Sequence, residues 1–367
     1  MKKYLTLLFA ALLAGCAAAP KTAQNSLTVT GSYPLSYARE FTVDECAGGY
    51  NLLTIDGSRY LTVPAGAAVP NGLDADITIL QLPLQNIYLV STSAMDPIIR
   101  IGGLDAVALS GTQAEGWYLP EARAAMQNGE IAYAGRYSTP DYETILSAGC
   151  DLALENTMIY HTPKVKEQLE SCGIPVLVER SSYESDPLAR MEWVKLYGIL
   201  LDRQQQAEQL FDAAVQQIAP LAGQKSTGKT AAFFSITSNN LATVRKGNDY
   251  VAKMIELAGG QYVFSDLTDD GNNLATVNIS LEEFYAAAKD ADVLFYNSTI
   301  EGELHTLDEL VAKCPALADC RAVQNGQVYC TAQSLFQQSM ELPALILDMH
   351  KVFVSDGGDF TFLTQLQ

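Results

Sequence analysis

Two Rossmann-like α/β lobes joined by one long α-helix, with a ligand cleft between them, form the architecture that the sequence predicts. Three observations predict it. Units of apolar strand, polar loop and amphipathic helix repeat over residues 86–185 and return over 231–354. Between them Ser185 to Pro220 reads SDPLARMEWVKLYGILLDRQQQAEQLFDAAVQQIAP. There Leu188, Met191, Val194 and Tyr197 recur at three-residue steps, Leu201 follows, and Ala207, Leu210, Ala214 and Ile218 resume the stripe. That is the period of a helix with one buried face. Asp186 suits the N-cap, Pro187 the first helical position and Pro220 the stop. At ~1.5 Å per residue, about thirty residues span ~45 Å, long for one core helix and suited to a spar. Repeated strand–helix units imply mostly parallel sheets whose ligands bind at the carboxyl ends of the strands.

The N-terminus carries an address. Lys2 and Lys3 precede the apolar run Tyr4 to Leu13, which ends in Leu13-Ala14-Gly15-Cys16. Residues 1–15 read as an export signal, too short for a permanent membrane span. Residues 16–26, small and polar, read as a tether. The lobes are then expected at 27–185 and 220–367, with the connecting helix at 186–219. The formal net charge of −19 disfavours a nucleic-acid partner, which needs clustered Lys and Arg. An anionic ligand would need locally placed cations. Beyond Cys16, Cys46, Cys150, Cys172, Cys314, Cys320 and Cys330 show no CxxC or Cys/His spacing, so zinc is not expected. Disulfide and free thiol both stay open for them.

In chain order, β-type runs at 27–30, 39–43, 50–55, 60–63 and 77–80 are separated by turn signals such as Gly48-Gly49 and Asp56-Gly57, which predicts an antiparallel N-terminal segment. Strands are then expected at 86–90, 105–109, 131–134, 151–154 and 175–178. Helices are expected from Pro97, and at 119–128, 141–148 and 164–172. Beyond the spar, 231–236, 293–296 and 327–330 read as strands. Residues 249–258, 281–288, 304–313 and 332–354 read as helices, and 237–247 as a polar loop.

Several motifs carry little. Gly223 to Thr230 (GQKSTGKT) matches a phosphate-binding loop, but a helix precedes it and a strand follows, the inverse of the required order. It reads as a polar linker. No G-x-S-x-G elbow or HExxH occurs, and the three histidines, His161, His305 and His350, are scattered. No catalytic residue, metal site or cofactor is expected.

Five segments in order carry a family resemblance. GRYSTPDYETILSAGCDLALEN (135–156), LESCGIPVLVE (169–179), GILLDRQQQAEQL (198–210), MIELAGGQYVF (254–264) and ISLEEFYAAAKDADVLFY (279–296) resemble motifs of the class III substrate-binding lipoproteins of ABC importers. That family takes up cobalamin, ferric siderophores and haem, and the Leu-Ala-Gly-Cys ending is similar to its lipobox, with Cys16 as the lipidated residue. The likeness covers roughly residues 85–355; residues 27–84 are longer than the family's usual start, and its "P-D" becomes Cys150-Asp151 and Ala291-Asp292. The resemblance implies a monomer, lipid-anchored in the cell envelope, that traps a metal chelate and hands it to a permease and its ATPase. A ferric siderophore leads, with cobalamin next and haem third; Tyr160 or His161 would suit haem iron. The alternative is an exported two-lobed enzyme or envelope scaffold. By the same resemblance Glu143 and Glu282, one per lobe, dock on permease arginines, with Glu283 the neighbour open to confusion. Cleft loops on the first lobe present Thr92, Ser93 and Met95; Trp117 and Tyr118; Arg136 and Tyr137; Asn156, Met158 and Tyr160; and Arg180 and Tyr183. The second lobe presents Asn239, Arg245, Asn297, Thr299, Gln333 and Phe336. Aromatics with few polar groups suit a large, flat, partly apolar ligand, and arginines suit carboxylates or catecholates.

Overall fold

Residues 27–268 and 275–367 are described in a computed structural model of the chain. The export signal, Cys16 and the tether lie outside them. Alternating apolar residues lay the first segment down as a sheet, β1 (Val29–Ser32), β2 (Phe41–Cys46), β3 (Tyr50–Ile55), β4 (Ser58–Val63) and β5 (Ile77–Gln81), in that order. The first four pair antiparallel as expected. β5 pairs parallel to β4, because residues 64–76 carry the chain back to the starting edge.

The first lobe follows: β6 (Ile87–Leu89), α1 (Thr92–Arg100), β7 (Val107–Ser110), α2 (Pro120–Gln127), β8 (Ala132–Tyr133), the hairpin β9 (Gly135–Arg136) and β10 (Thr139–Pro140), α3 (Tyr142–Ser147), β11 (Leu152–Asn156), α4 (Pro163–Ser171) and β12 (Val176–Glu179). The sheet order is β12-β11-β6-β7-β8, and every pair is parallel. Pro97 lies inside α1 rather than opening it. Proline has no N–H for the carbonyl four residues back, and that carbonyl, Ser93 O, accepts from Ser339 Oγ at 2.8 Å instead.

The expected single spar is absent. Its residues form α5 (Pro187–Glu192), α6 (Val194–Leu200) and α7 (Gln204–Ile218). Asp186 does cap the start, accepting from Leu188 N at 2.8 Å. Asp202 adopts a left-handed conformation (φ 54°), and Arg203 N donates to Gly198 O at 2.7 Å, so the helix ends there and the chain folds back. Gly198 permits that reversal: a Cβ on it would lie 2.7 Å from Ala207 Cβ and 3.1 Å from Arg203 O. The buried stripe of α7 is Ala207, Phe211, Ala214 and Ile218, with Phe211 in place of the expected Leu210. Stiffness therefore comes from packing: one hydrophobic core runs from Phe41 through Trp193 and Phe211 to Phe353.

The N-terminal sheet is tied to these helices by two buried acids. Glu192 accepts backbone N–H groups of Ser36, Tyr37 and Ala38 at 2.7–2.9 Å and pairs with Lys195 at 2.8 Å. Burial raises the pKa of Glu192, but Lys195 and those donors outweigh it and hold the carboxyl below its usual range. Glu184 accepts from Arg39 N, Glu40 N and Trp193 Nε1, each at 3.0 Å.

The second lobe comprises β13 (Thr230–Ile236), β14 (Leu241–Arg245), α8 (Tyr250–Leu257), β15 (Gln261–Tyr262), β16 (Thr276–Ser280), α9 (Leu281–Ala288), β17 (Val293–Tyr296), α10 (Ser298–Glu301), α11 (Leu307–Lys313), α12 (Arg321–Gln324), β18 (Val328–Thr331), α13 (Leu342–Val354) and β19 (Leu363–Gln365). β13, β17 and β18 are parallel, flanked by antiparallel β14, β16 and β19. The expected loop at 237–247 thus contains β14, whose Ala242 and Val244 alternate into the core. Only 342–354 of the expected last helix is one long helix. The segment before it turns its polar groups toward the first lobe.

Candidate functional site

Parallel strands end in loops whose backbone groups need partners, and asparagine serves twice. Asn156 closes β11 and accepts from Met158 N at 2.9 Å. Asn297 closes β17 and accepts from Thr299 N at 3.2 Å and Thr299 Oγ1 at 2.8 Å. Asn156, Asn297 and Thr299 therefore shape their loops.

The lobes meet across residues 337–341. Tyr118 N donates to Gln337 Oε1 and Gln337 Nε2 to Gly116 O, each at 2.8 Å. Met340 N donates to Asp96 Oδ2 at 2.8 Å, and Arg100 pairs with both Asp96 and Glu341. Gln337 and Ser339 were not among the sequence candidates; no periodicity marks residues in a bridging loop. Ser93 belongs to this bridge and not to an open cleft, because its Oγ donates to Glu179 at 3.2 Å and its carbonyl takes Ser339. Ser91 Oγ reaches the same carboxylate at 2.9 Å. Thr92, beside it, is half-buried.

Two expected ligand contacts are core residues. Met95 and Trp117 are both 0 % exposed, and Trp117 Nε1 donates to Ser110 Oγ at 3.2 Å. Met95 lies on the buried face of α1 and Trp117 follows a short turn, and both side chains pack into the main core. Arg180 is also already engaged. Its Nε meets Glu40 at 2.8 Å, its Nη1 meets Asp56 at 2.9 Å, and the guanidinium lies 4.4 Å over the Tyr183 ring. Both acids come from the N-terminal sheet, whose β3–β4 turn also brings Asp56 within 3.4 Å of Tyr160 Oη.

Tyr118, Arg136, Met158, Tyr160 and Asn239 are exposed, whereas Tyr137 and Gln333 are half-buried; Gln333 N donates to Glu303 at 3.3 Å. On the second lobe Arg245 stacks 4.8 Å over Phe336 and 5.8 Å from the Tyr250 centroid. Arg190, absent from the sequence candidates because it sat on the expected spar, lies 4.8 Å over the same Tyr250 ring. Asp249 caps α8 through Val251 N at 2.9 Å; burial raises its pKa, opposed by Arg245.

Glu155, also unforeseen, is 0 % exposed in β11, and neither carboxylate oxygen has a partner among the described residues. Desolvation pushes its pKa up to about 8, so it is neutral at neutral pH. Glu143 and Glu282 are exposed in the first turns of α3 and α9. Glu283 accepts from Ser280 N at 2.9 Å in a capping box, so Glu282 is the acid left facing outward. The G-x4-G-K-T loop precedes β13 with Lys229 Nζ on Ser355 Oγ at 2.8 Å. His161 lies in the turn after β11, His305 in the loop before α11 and His350 in α13, well apart in the chain.

A family model described as periplasmic binding protein matches residues 91–335. The chain is 23% identical to an uncharacterized lipoprotein of Methanocaldococcus jannaschii, covering 94% of this chain and 90% of that one. In fold it is similar to a periplasmic heme binding protein of Pseudomonas aeruginosa (TM-score 0.61, 17% identity, 77% of this chain and 98% of that one). It is also similar to an ABC-type Fe3+-hydroxamate transport system protein of Saccharomonospora viridis (TM-score 0.58, 21% identity, 74% and 93%).

Proposed function

The chain belongs to the periplasmic binding protein family, whose members are solute-binding proteins, and from that premise we propose that it is the capture component of an ABC importer for a metal chelate. One observation carries the reading: carboxyl-end loops of two separate sheets converge on the segment 337–341, with aromatic and cationic side chains around it. A fold that collects loops from two bodies binds a ligand from both sides. A ferric siderophore leads, followed by a corrinoid and haem, in keeping with the heme and Fe3+-hydroxamate proteins of similar fold. Tyr160, exposed at the rim, suits an iron ligand for haem.

Anchoring through Cys16 would keep the protein at the membrane, and Glu143 and Glu282, one per lobe, would pair with permease arginines. Calorimetric titration with a ferric siderophore panel, cobalamin and haem tests the ligand class. One of them should bind one-to-one; silence with all of them sinks the chelate. Glu143→Ala with Glu282→Ala should abolish uptake in cells at unchanged ligand affinity. Normal uptake by the double variant would remove the docking role.

A further inference from the structure

We propose that Gln337 is a releasable latch between the lobes, which part by breaking its two hydrogen bonds while residues 339–341 stay seated as the pivot. The inference deepens the binding reading above and rests on it for the need of the lobes to part. The polar groups that join the lobes fall into two tiers. The inner tier is buried: Ser339, Met340 and Asp96 are 5 %, 4 % and 2 % exposed. There Met340 N donates to Asp96 Oδ2 and Ser339 Oγ to Ser93 O, each at 2.8 Å. The outer tier is Gln337, whose Oε1 accepts from Tyr118 N and whose Nε2 donates to Gly116 O, both in exposed bonds of 2.8 Å. Among the described residues no other hydrogen bond or ion pair ties the 111–118 loop to the second lobe.

Each half of the latch is braced on its own lobe. Gln337 N and Gln338 N both donate to Ser334 O, at 2.9 and 3.0 Å, and the neighbouring Phe336 ring stacks 4.8 Å from Arg245. Opposite, Trp117 is fully buried, its Nε1 donates to Ser110 Oγ, and its carbonyl accepts from Arg123 Nη2. With the side chain between them turned into the core, Gly116 O and Tyr118 N are left facing the second lobe as one acceptor and one donor. A primary amide matches that pair, because it carries an acceptor and N–H donors in one plane. The tiers differ in what opening costs. Water replaces the partners of an exposed hydrogen bond, whereas a buried carboxylate or N–H left unpaired carries its full desolvation penalty. Asp96 is held further by Arg100, which also pairs with Glu341. Opening therefore starts at Gln337, turns about the inner tier, and frees the 111–118 loop with its exposed Tyr118 ring.

Amide hydrogen exchange of the full chain, read at Tyr118 and Met340 without any ligand, tests this. In wild type Tyr118 N–H should exchange at least about tenfold faster than Met340 N–H. Gln337→Ala should speed Tyr118 exchange by about tenfold again and leave Met340 exchange and the melting temperature unchanged. Gln337→Glu keeps the acceptor for Tyr118 N and loses the donor to Gly116 O, so it should fall between. Asp96→Ala should lower the melting temperature and speed exchange at both positions. Equal exchange at the two N–H groups in wild type, or Tyr118 exchange untouched by Gln337→Ala, overturns the latch. Faster exchange at both positions with a lower melting temperature in Gln337→Ala makes the contact structural and overturns it as well. Stopped-flow mixing with haem and with ferrioxamine B reads the link to capture: whichever binds wild type should associate and dissociate several-fold faster with Gln337→Ala. Unchanged rates overturn the latch as a gate. Neither ligand bound by wild type, with the exchange pattern as expected, keeps the latch and removes those two chelates from the binding reading.

Discussion

Arg180 and Arg245 each lie at or near the end of a strand, in lobes of similar construction, and are paired in different ways. On the first lobe the N-terminal sheet supplies Glu40 and Asp56, and Arg180 is neutralised within the chain. On the second lobe no added sheet intervenes, and Arg245 takes a local partner instead, the buried Asp249 four residues on at 3.6 Å, with Phe336 stacked 4.8 Å from it. Loop position and residue type do not decide whether a cation is available to a ligand. The neighbours folded against it do.

Four measurements sharpen or break that contrast. Glu192→Ala should have the largest effect, because it strands three backbone N–H groups and the Lys195 ammonium. A loss of about 3–5 kcal/mol in denaturant unfolding is expected for removing one member of a buried pair. A loss below ~1 kcal/mol would mean that the N-terminal sheet is held by other contacts.

Glu155 predicts a pH effect. Burial pushes its folded pKa up to about 8, above the ordinary carboxyl value of 4.5, so the folded state holds a proton that the unfolded state has released. Its contribution is complete below pH 4.5 and is lost as pH rises toward 8, with a slope of up to about 1.4 kcal/mol per pH unit. Unfolding curves of Glu155→Gln against wild type should diverge across that window, the variant being flatter. Parallel curves would show that the acid is solvated.

Arg180→Gln should cost about 1–2 kcal/mol of stability, discounted because Asp56 is half exposed, and leave ligand affinity unchanged. Lost affinity with full stability would put Arg180 back among the ligand contacts. The smallest effect is expected from Glu283→Ala, which removes a capping box worth about 1 kcal/mol without touching uptake. An uptake defect there would move the docking role from Glu282 to its neighbour.

The sequence by itself determined the repeated strand–helix grammar, and with it the two α/β lobes, because periodicity and capping are local: β3, α9 and β17 fall on the expected residues. Glu143 and Glu282 were singled out by the family resemblance, and the fold leaves both exposed in the first turns of their helices. The broken connection was not, because a stripe at helical spacing runs unaltered through Leu201-Asp202-Arg203, and only the close approach of Ala207 to Gly198 shows where the chain turns. The site was legible mainly as a set of loops. Which members face a ligand was decided by contacts between residues far apart in the chain: Met95 and Trp117 turned into the core, Arg180 was closed off by Asp56, and Arg190 arrived beside Tyr250. Side-chain partners at such separations follow from tertiary packing, and no local pattern encodes them.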